Sequence, residues 1–334
     1  MSNDTYDHPR HQPAVDDREN ELPHSSGHCE AQARHFSKQA GNAAYKSIFC
    51  KNLFAGQVII VTGGGSGIGR CTAHELASLG AVVALIGRTP DKLTAVAQEI
   101  VDDGGIAATY PCDIREEDKV KAAVGRILEA HGRIDGLVNN AGGQFSAPIA
   151  SISLKGWDAV VRTNLYGGFL MARECYTQWM ANHGGSIVSI VADMWEGLPD
   201  MAHSGAARAG MVNFTMTAAC EWAAAGVRVN AVAPGWIASS GLDTYPESRK
   251  ALIKRFQEFV PMRRMGTESE VSSAVVFLLS PAAAYVSGAT LRVDGAAPNA
   301  RRNATLPVPA RGAVWNGFHR YKPPAVLADA ERPS

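Results

Sequence analysis

The segment "QVIIVTGGGSGIGR", residues 57–70, constrains the fold more than any other part of the chain. "QVIIVT" is a short β-branched run that stops at glycines, the pattern of a parallel strand buried on both faces. The glycines that follow let the backbone turn sharply and come close to a bound group. A helix starting at that turn presents free N–H groups and the positive end of its dipole to an anion. The spacing is Gly63, Gly67, Gly69, which is not G-x-G-x-x-G. A glycine-rich turn alone fits a plain loop equally well; the strand before it and the helix after it favour a phosphate cradle.

Strands and helices alternate beyond this point. "AVVALIG" (81–87), "DGLVNN" (135–140), "GSIVSIV" (185–191) and "VRVNAVAP" (227–234) read as further strands. Residues 90–102 place Leu93, Val96, Ala97, Ile100 and Val101 on one helical face. Residues 116–131 do the same with Val120, Ala123, Val124, Ile127 and Leu128. Thr267 and Glu270 make a capping box ahead of Val271, Ala274, Val275 and Leu278. The alternation predicts an α/β fold: a single Rossmann-type, doubly wound parallel sheet with helices on both faces.

The expected domain spans residues 51–298, between flexible N- and C-terminal extensions. Residues 1–50 are polar and without period, and read as a flexible leader. His8, His11, His24, His28 and Cys29 lie there at spacings that superficially suit zinc, but without a supporting framework they read as a solvated tail, and no metal is expected. Residues 299–334 form a Pro-rich extension, with Trp315, Phe318 and Tyr321 as candidate anchors on the domain or a neighbouring subunit.

Composition excludes some functions. Lys+Arg and Asp+Glu both number 32, so charge makes no case for nucleic acid or an anionic membrane. No apolar run reaches the length of a membrane span, and the first residues lack the apolar core of a signal peptide. Six scattered cysteines form no C-x-x-C pair, which suits a soluble protein in a reducing, cytoplasmic compartment.

The second strand ends in "LIGRTP". A site for NAD usually places a carboxylate there to hold the ribose 2′-OH. Gly87 holds that place and Arg88 follows. Without the carboxylate there is no repulsion of a 2′-phosphate, and a guanidinium binds phosphate bidentately, so NADPH is the expected cofactor.

Together "TGGGSGIG", "CDI", "NNAGG", "TNLYGGF" and "VAPGWIAS" resemble the short-chain dehydrogenase/reductase family over roughly residues 55–296. The resemblance implies cofactor contacts from Thr62, Gly63, Gly65, Ser66, Gly67, Ile68 and Gly69 in the glycine turn. It places Asp113 near the adenine, with Asn139, Asn140, Ala141 and Gly142 bordering the cofactor. Pro234, Gly235 and Ile237 follow the later strand, and Ser239 takes the place of a threonine at the nicotinamide carboxamide. Asn164 matches the family's catalytic asparagine. The family also implies a homotetramer built on the helix from about Ser204 to Ala225.

The family's Ser, Tyr and Lys are replaced. The serine position falls on Ala192, or on Val191 if the register shifts by one; the tyrosine is Ser204 and the lysine Arg208. A serine hydroxyl is a poor proton donor at neutral pH. Arg208 keeps a positive charge for ribose hydroxyls but cannot relay a proton. Carbonyl reduction needs an acid at the new alkoxide. Reduction of a conjugated C=C instead spreads charge onto a thioester oxygen, which hydrogen-bond donors can stabilise. "HSGAARAG", "NNAGGQF" and "EVSSAVVFLLSPAAAYVSG" further resemble the trans-2-enoyl-CoA reductase branch, the peroxisomal enzymes in particular, although "ERPS" does not match a peroxisomal address. The expected activity is therefore NADPH-dependent reduction of 2-enoyl-CoA thioesters, with an acyl-CoA as the small-molecule partner. Two alternatives stand beside it: a dehydrogenase of acyclic terpenoid alcohols such as citronellol, with His203 as substitute acid, and a nucleotide-binding protein without catalysis.

Overall fold

Alternate residues of a strand leave on opposite faces of its sheet. In the first strand both sets are apolar, so each face needs its own helices. The computed structural model describes residues 44–300 and 312–328. The strands are β1 Val58–Thr62, β2 Val82–Gly87, β3 Ile106–Pro111, β4 Gly136–Asn139, β5 Gly185–Ile190, β6 Val227–Pro234 and β7 Thr290–Val293. They form one parallel sheet in the order β3-β2-β1-β4-β5-β6-β7. The helices used below are α1 Gly67–Ser78, α2 Pro90–Asp102, α3 Glu117–His131, α4 Leu154–Val161, α5 Gly167–Cys175, α6 Ala202–Glu221, α7 Glu247–Lys254, α8 Glu268–Leu279 and α9 Ala325–Ala328.

Ile59 and Val61 pack with Leu76 of α1, Leu93 of α2 and Val275 of α8. Val58 and Ile60 face the opposite core, with Val124 and Ile127 of α3 and Leu170 of α5. This is the doubly wound arrangement expected from the sequence. Thr267 accepts the N–H of Glu270 at 3.1 Å, and the Glu270 carboxylate accepts the N–H of Thr267 at 2.9 Å, so the capping box starts α8 as predicted. β3 and β7 extend the sheet beyond the strands legible in the sequence. The chain reverses its direction of travel across the sheet between β1 and β4, which opens a crevice at the carboxyl ends of the strands.

Residues 44–50, expected as the end of a flexible leader, pack on the domain instead. Tyr45 is buried, with its ring 5.8 Å from that of Phe318 and its hydroxyl donating to Glu75 at 3.1 Å. Phe318 is buried in turn, with Arg70 of α1 over its ring. Its neighbours Arg320 and His319 both pair with Asp103. The histidine-bearing part of the leader lies outside the described residues. Among the described residues no helix is long and apolar enough to cross a membrane, and no group of His, Cys, Asp or Glu is arranged to hold a metal ion.

Candidate functional site

The crevice at the switch point is a cleft of about 610 Å³. Its floor is the glycine turn. Gly63 and Gly67 have φ of 66° and 57°, left-handed conformations open to glycine at little cost. A Cβ on Gly69 would run into the carbonyl of Gly63, so the turn folds directly against the first turn of α1. That helix starts with no side-chain cap and no acidic residue in its first turn. An uncapped, acid-free helix N-terminus beneath a glycine turn fits the pyrophosphate of a dinucleotide.

Thr62 lies behind the floor and shapes it. Its hydroxyl donates to the Val138 carbonyl at 3.2 Å and accepts the N–H groups of Asn140 and Ala141 at 3.0 and 2.9 Å. This stitches β1 to the end of β4, and Asn140 returns a bond from Nδ2 to the Thr62 carbonyl at 3.0 Å. Gly63, Gly65, Ser66, Gly67 and Ile68 line the cleft from below, and Asn140, Ala141 and Gly142 from the side. Pro234, Gly235, Ile237 and Ser239 line it beyond β6. Asn139 turns away, donating to the Gly168 carbonyl at 2.9 Å, so it supports the wall from behind.

At the β2 end, Arg88 is exposed on the cleft with Lys92 and Arg115 nearby. Arg115 is committed to Asp113, and its hydrogen bond holds that carboxyl down at about 2, with Arg88 adding to the effect. Among the described residues no ion pair occupies Arg88.

At the other end, Arg208 is half-buried, donating Nη1 to the Ile190 carbonyl at 2.6 Å, while its Nε has no partner among the described residues. Burial pulls its pKa down to about 10, which leaves it charged at neutral pH. Val191 and Ala192, where the family's serine would stand, line the cleft with apolar side chains. Asn164 sits in a π-helical turn, Arg162–Tyr166. There it accepts the N–H of Gly143 and donates to the Gly143 carbonyl, both at 2.9 Å. It thus clamps the loop after β4 and spends both ends of its amide doing so. His203 is fully buried, edge-on to Phe145 at 4.4 Å between centroids, and does not line the cleft. The side chain expected as a substitute acid is therefore buried away from the cleft. Ser204 donates to Gln144 Oε1 at 2.9 Å. Gln144 does line the cleft, and its Nε2 donates to the Tyr245 hydroxyl at 2.8 Å. No sequence motif points to Gln144 or Tyr245, because residues about a hundred positions apart share no local pattern.

The enoyl-(acyl carrier protein) reductase family model matches residues 63–296, the span that builds this cleft. The chain belongs to the short-chain dehydrogenase/reductase family. These enzymes are oxidoreductases that bind NAD(P). It is 35% identical over 257 residues to the peroxisomal 2,4-dienoyl-CoA reductase of Danio rerio, covering 76% of this chain and 85% of that one. It is 34% identical to the probable 2,4-dienoyl-CoA reductase of Bacillus subtilis (strain 168), covering 72% and 95%. A solved citronellol catabolism dehydrogenase of Pseudomonas aeruginosa PAO1 is 61% identical, with a TM-score of 0.69 over 76% of this chain and 99% of that one.

One acid beside the glycine turn makes stability pH-dependent. Glu268, at the start of α8, lies with Oε1 3.9 Å from where a Cβ on Gly67 would stand. Burial raises its pKa to about 7, against the opposing charge of Arg70. Between about pH 4.5 and 7 the folded state holds a proton that the unfolded chain releases. Stability therefore falls as pH rises through that window, by up to ~3 kcal/mol. Glu268→Gln removes the loss, so thermal melts at pH 5 and pH 8 should lie closer together in the variant than in the parent protein.

Proposed function

We propose that this protein is an NADPH-dependent reductase of carbon–carbon double bonds conjugated to an acyl thioester, of the 2-enoyl-CoA or 2,4-dienoyl-CoA class. The observation that carries the reading is the state of the catalytic positions. Ala192, Ser204 and Arg208 stand where a carbonyl-reducing site needs its acid, and the Ser204 hydroxyl already donates to Gln144. A bare alkoxide would have no proton donor among these three. A delocalised enolate needs only hydrogen-bond donors, and its carbon can take a proton from water.

When bound, the nicotinamide supplies the hydride. Residues of this chain do the rest. The glycine turn and the start of α1 receive the pyrophosphate, Arg88 the 2′-phosphate, and Arg208 the ribose hydroxyls. Asn164 holds the loop at Gly143 that forms one side of the reaction space. In keeping with the family, the protein works as a homotetramer on this reading, and its free cysteines suit a reducing, cytoplasmic compartment; Met216 on α6 is 46% exposed where a symmetry mate would pack.

A second reading, oxidation of acyclic terpenoid alcohols, is favoured by the 61% identity to the citronellol catabolism dehydrogenase. That name gives a pathway and leaves open which bond is acted on. The test is a substrate panel with NADPH and NADH: crotonyl-CoA, 2-decenoyl-CoA and 2,4-decadienoyl-CoA for reduction, and citronellol with the oxidised cofactors. Oxidation of NADPH by the thioesters, with no turnover of citronellol, is expected. Brisk citronellol oxidation with inert thioesters overturns the proposal in favour of the second reading. Cofactor binding with no turnover on any of them leaves a protein that binds nucleotide without catalysis.

A further inference from the structure

The family's tyrosine is gone from α6, yet a phenol still reaches the cleft from another element. Tyr245 follows the short helical turn Ser240–Thr244, just ahead of α7, and lines the cleft together with Ser239, Arg208 and Ala192. Its hydroxyl oxygen accepts from Gln144 Nε2 at 2.8 Å. Its own proton points at the thioether of Met201, 3.8 Å away. Thioether sulfur is a weak acceptor. A carbonyl oxygen entering the cleft would take that proton at little cost, because only a poor hydrogen bond is given up.

The orientation is fixed from both sides. Ser204 donates to Gln144 Oε1, which leaves the Gln144 amide N–H groups as the end facing Tyr245. A donor bonded to the phenol oxygen polarises the O–H and makes it a stronger donor in turn. Beneath the ring, Tyr245 packs with Leu242, Ile253 and Val326, so the C-terminal segment braces it. Asp243 accepts the N–H groups of Ala325 and Val326 at 3.0 and 2.9 Å, pinning α9 under this loop.

We propose that Tyr245 is a catalytic residue that hydrogen-bonds the thioester oxygen of the substrate, with Gln144 and Ser204 as its positioning residues. The proposal rests on the reading of the protein as a reductase of conjugated thioesters. The hydride, carrying two electrons, adds to the far carbon of the conjugated system. The π pair moves toward the carbonyl, and the enolate charge settles on the thioester oxygen facing Tyr245. Tyr245 keeps its proton and stabilises that charge through the hydrogen bond. A water proton then closes the new C–H bond, and the hydroxide left behind is neutralised by solvent.

The experiment compares Tyr245→Phe, Gln144→Leu and Ser204→Ala on the full chain with 2,4-decadienoyl-CoA, alongside NADPH binding followed by fluorescence. Tyr245→Phe should lower kcat about 100-fold, the scale for one oxyanion donor. NADPH affinity and the KM for the thioester should change less than about threefold, because the bond strengthens only as charge develops. Gln144→Leu and Ser204→Ala should each lower kcat about tenfold, and neither should cost anything further in the Tyr245→Phe background. Losses that multiply in that background would mean the two residues act elsewhere. A Tyr245→Phe variant that binds NADPH normally and keeps kcat within twofold overturns the proposal. If the parent protein turns over only citronellol, the functional reading has failed, and Tyr245→Phe is then scored on alcohol oxidation. There a 100-fold loss keeps Tyr245 as the hydroxyl at the reacting oxygen, and unchanged turnover removes it.

Discussion

Replacing Arg88 by glutamate should reverse the cofactor preference, weakening NADPH by about 100-fold while strengthening NADH. Arg88 is exposed just past the end of β2, next to Gly87, which holds the place where a carboxylate would otherwise receive the ribose 2′-OH. Arg115 is tied to Asp113, so the nearest alternative guanidinium is already spent. Lys92 lines the cleft too, but an ammonium cannot match the bidentate fit of a guanidinium to phosphate. The variant removes a charge-assisted pair and sets a carboxylate against a doubly charged group; that same carboxylate suits a free 2′-OH. Dissociation constants for both reduced cofactors, measured by fluorescence quenching, decide it. An unchanged NADPH-to-NADH ratio would mean that the 2′-phosphate lies elsewhere.

The second large effect concerns Arg208. A half-buried guanidinium with one hydrogen bond, at 2.6 Å, and an Nε without a partner among the described residues is a costly group to hold. If its role were structural, Arg208→Met would need to destabilise the fold. Methionine fills much of the same volume and carries no desolvation cost, so we expect the melting temperature to hold or rise. Activity should nevertheless drop by about 100-fold, since on the proposed reading this charge holds the cofactor ribose. The Ile190 carbonyl loses its partner, a penalty of about 1–3 kcal/mol that the relieved charge offsets. Melting temperature and kcat/KM on the same preparation separate the two roles. Parallel loss of both would make Arg208 a structural residue.

Much of this was legible in the residues, and the exceptions have physical causes. β1 and β2 carry near-continuous apolar runs, and β4, β5 and β6 carry apolar runs broken by Asn139, Ser189, Arg228 and Asn230, because parallel strands covered on both faces bury both sets of side chains. β3, "IAATYP", carries small residues and a terminal proline at the sheet edge, and most of it is only partly buried. β7, "TLRV", is four residues long, too short for any period to register. The glycine turn announced itself because only glycine tolerates its φ angles and close approach. His203 read as a pocket residue from its place beside Ser204, but one step along a helix turns a side chain by about 100°. That step carries it under Phe145. Tyr45 is a core residue because Cys71 of α1 and Phe318, from the far end of the chain, close over it. The Gln144–Tyr245 bond likewise joins two loops that meet at the mouth of the cleft and share no local pattern.

The central claim is that hydride is delivered to a carbon of a conjugated double bond and not to a carbonyl carbon. It is tested most directly by giving the enzyme NADPH deuterated at the transferable position together with 2,4-decadienoyl-CoA, then locating the label by mass spectrometry. Deuterium on a former alkene carbon, with the thioester intact, is the predicted result. Deuterium on a carbinol carbon, in a product reduced at C=O, would contradict the account.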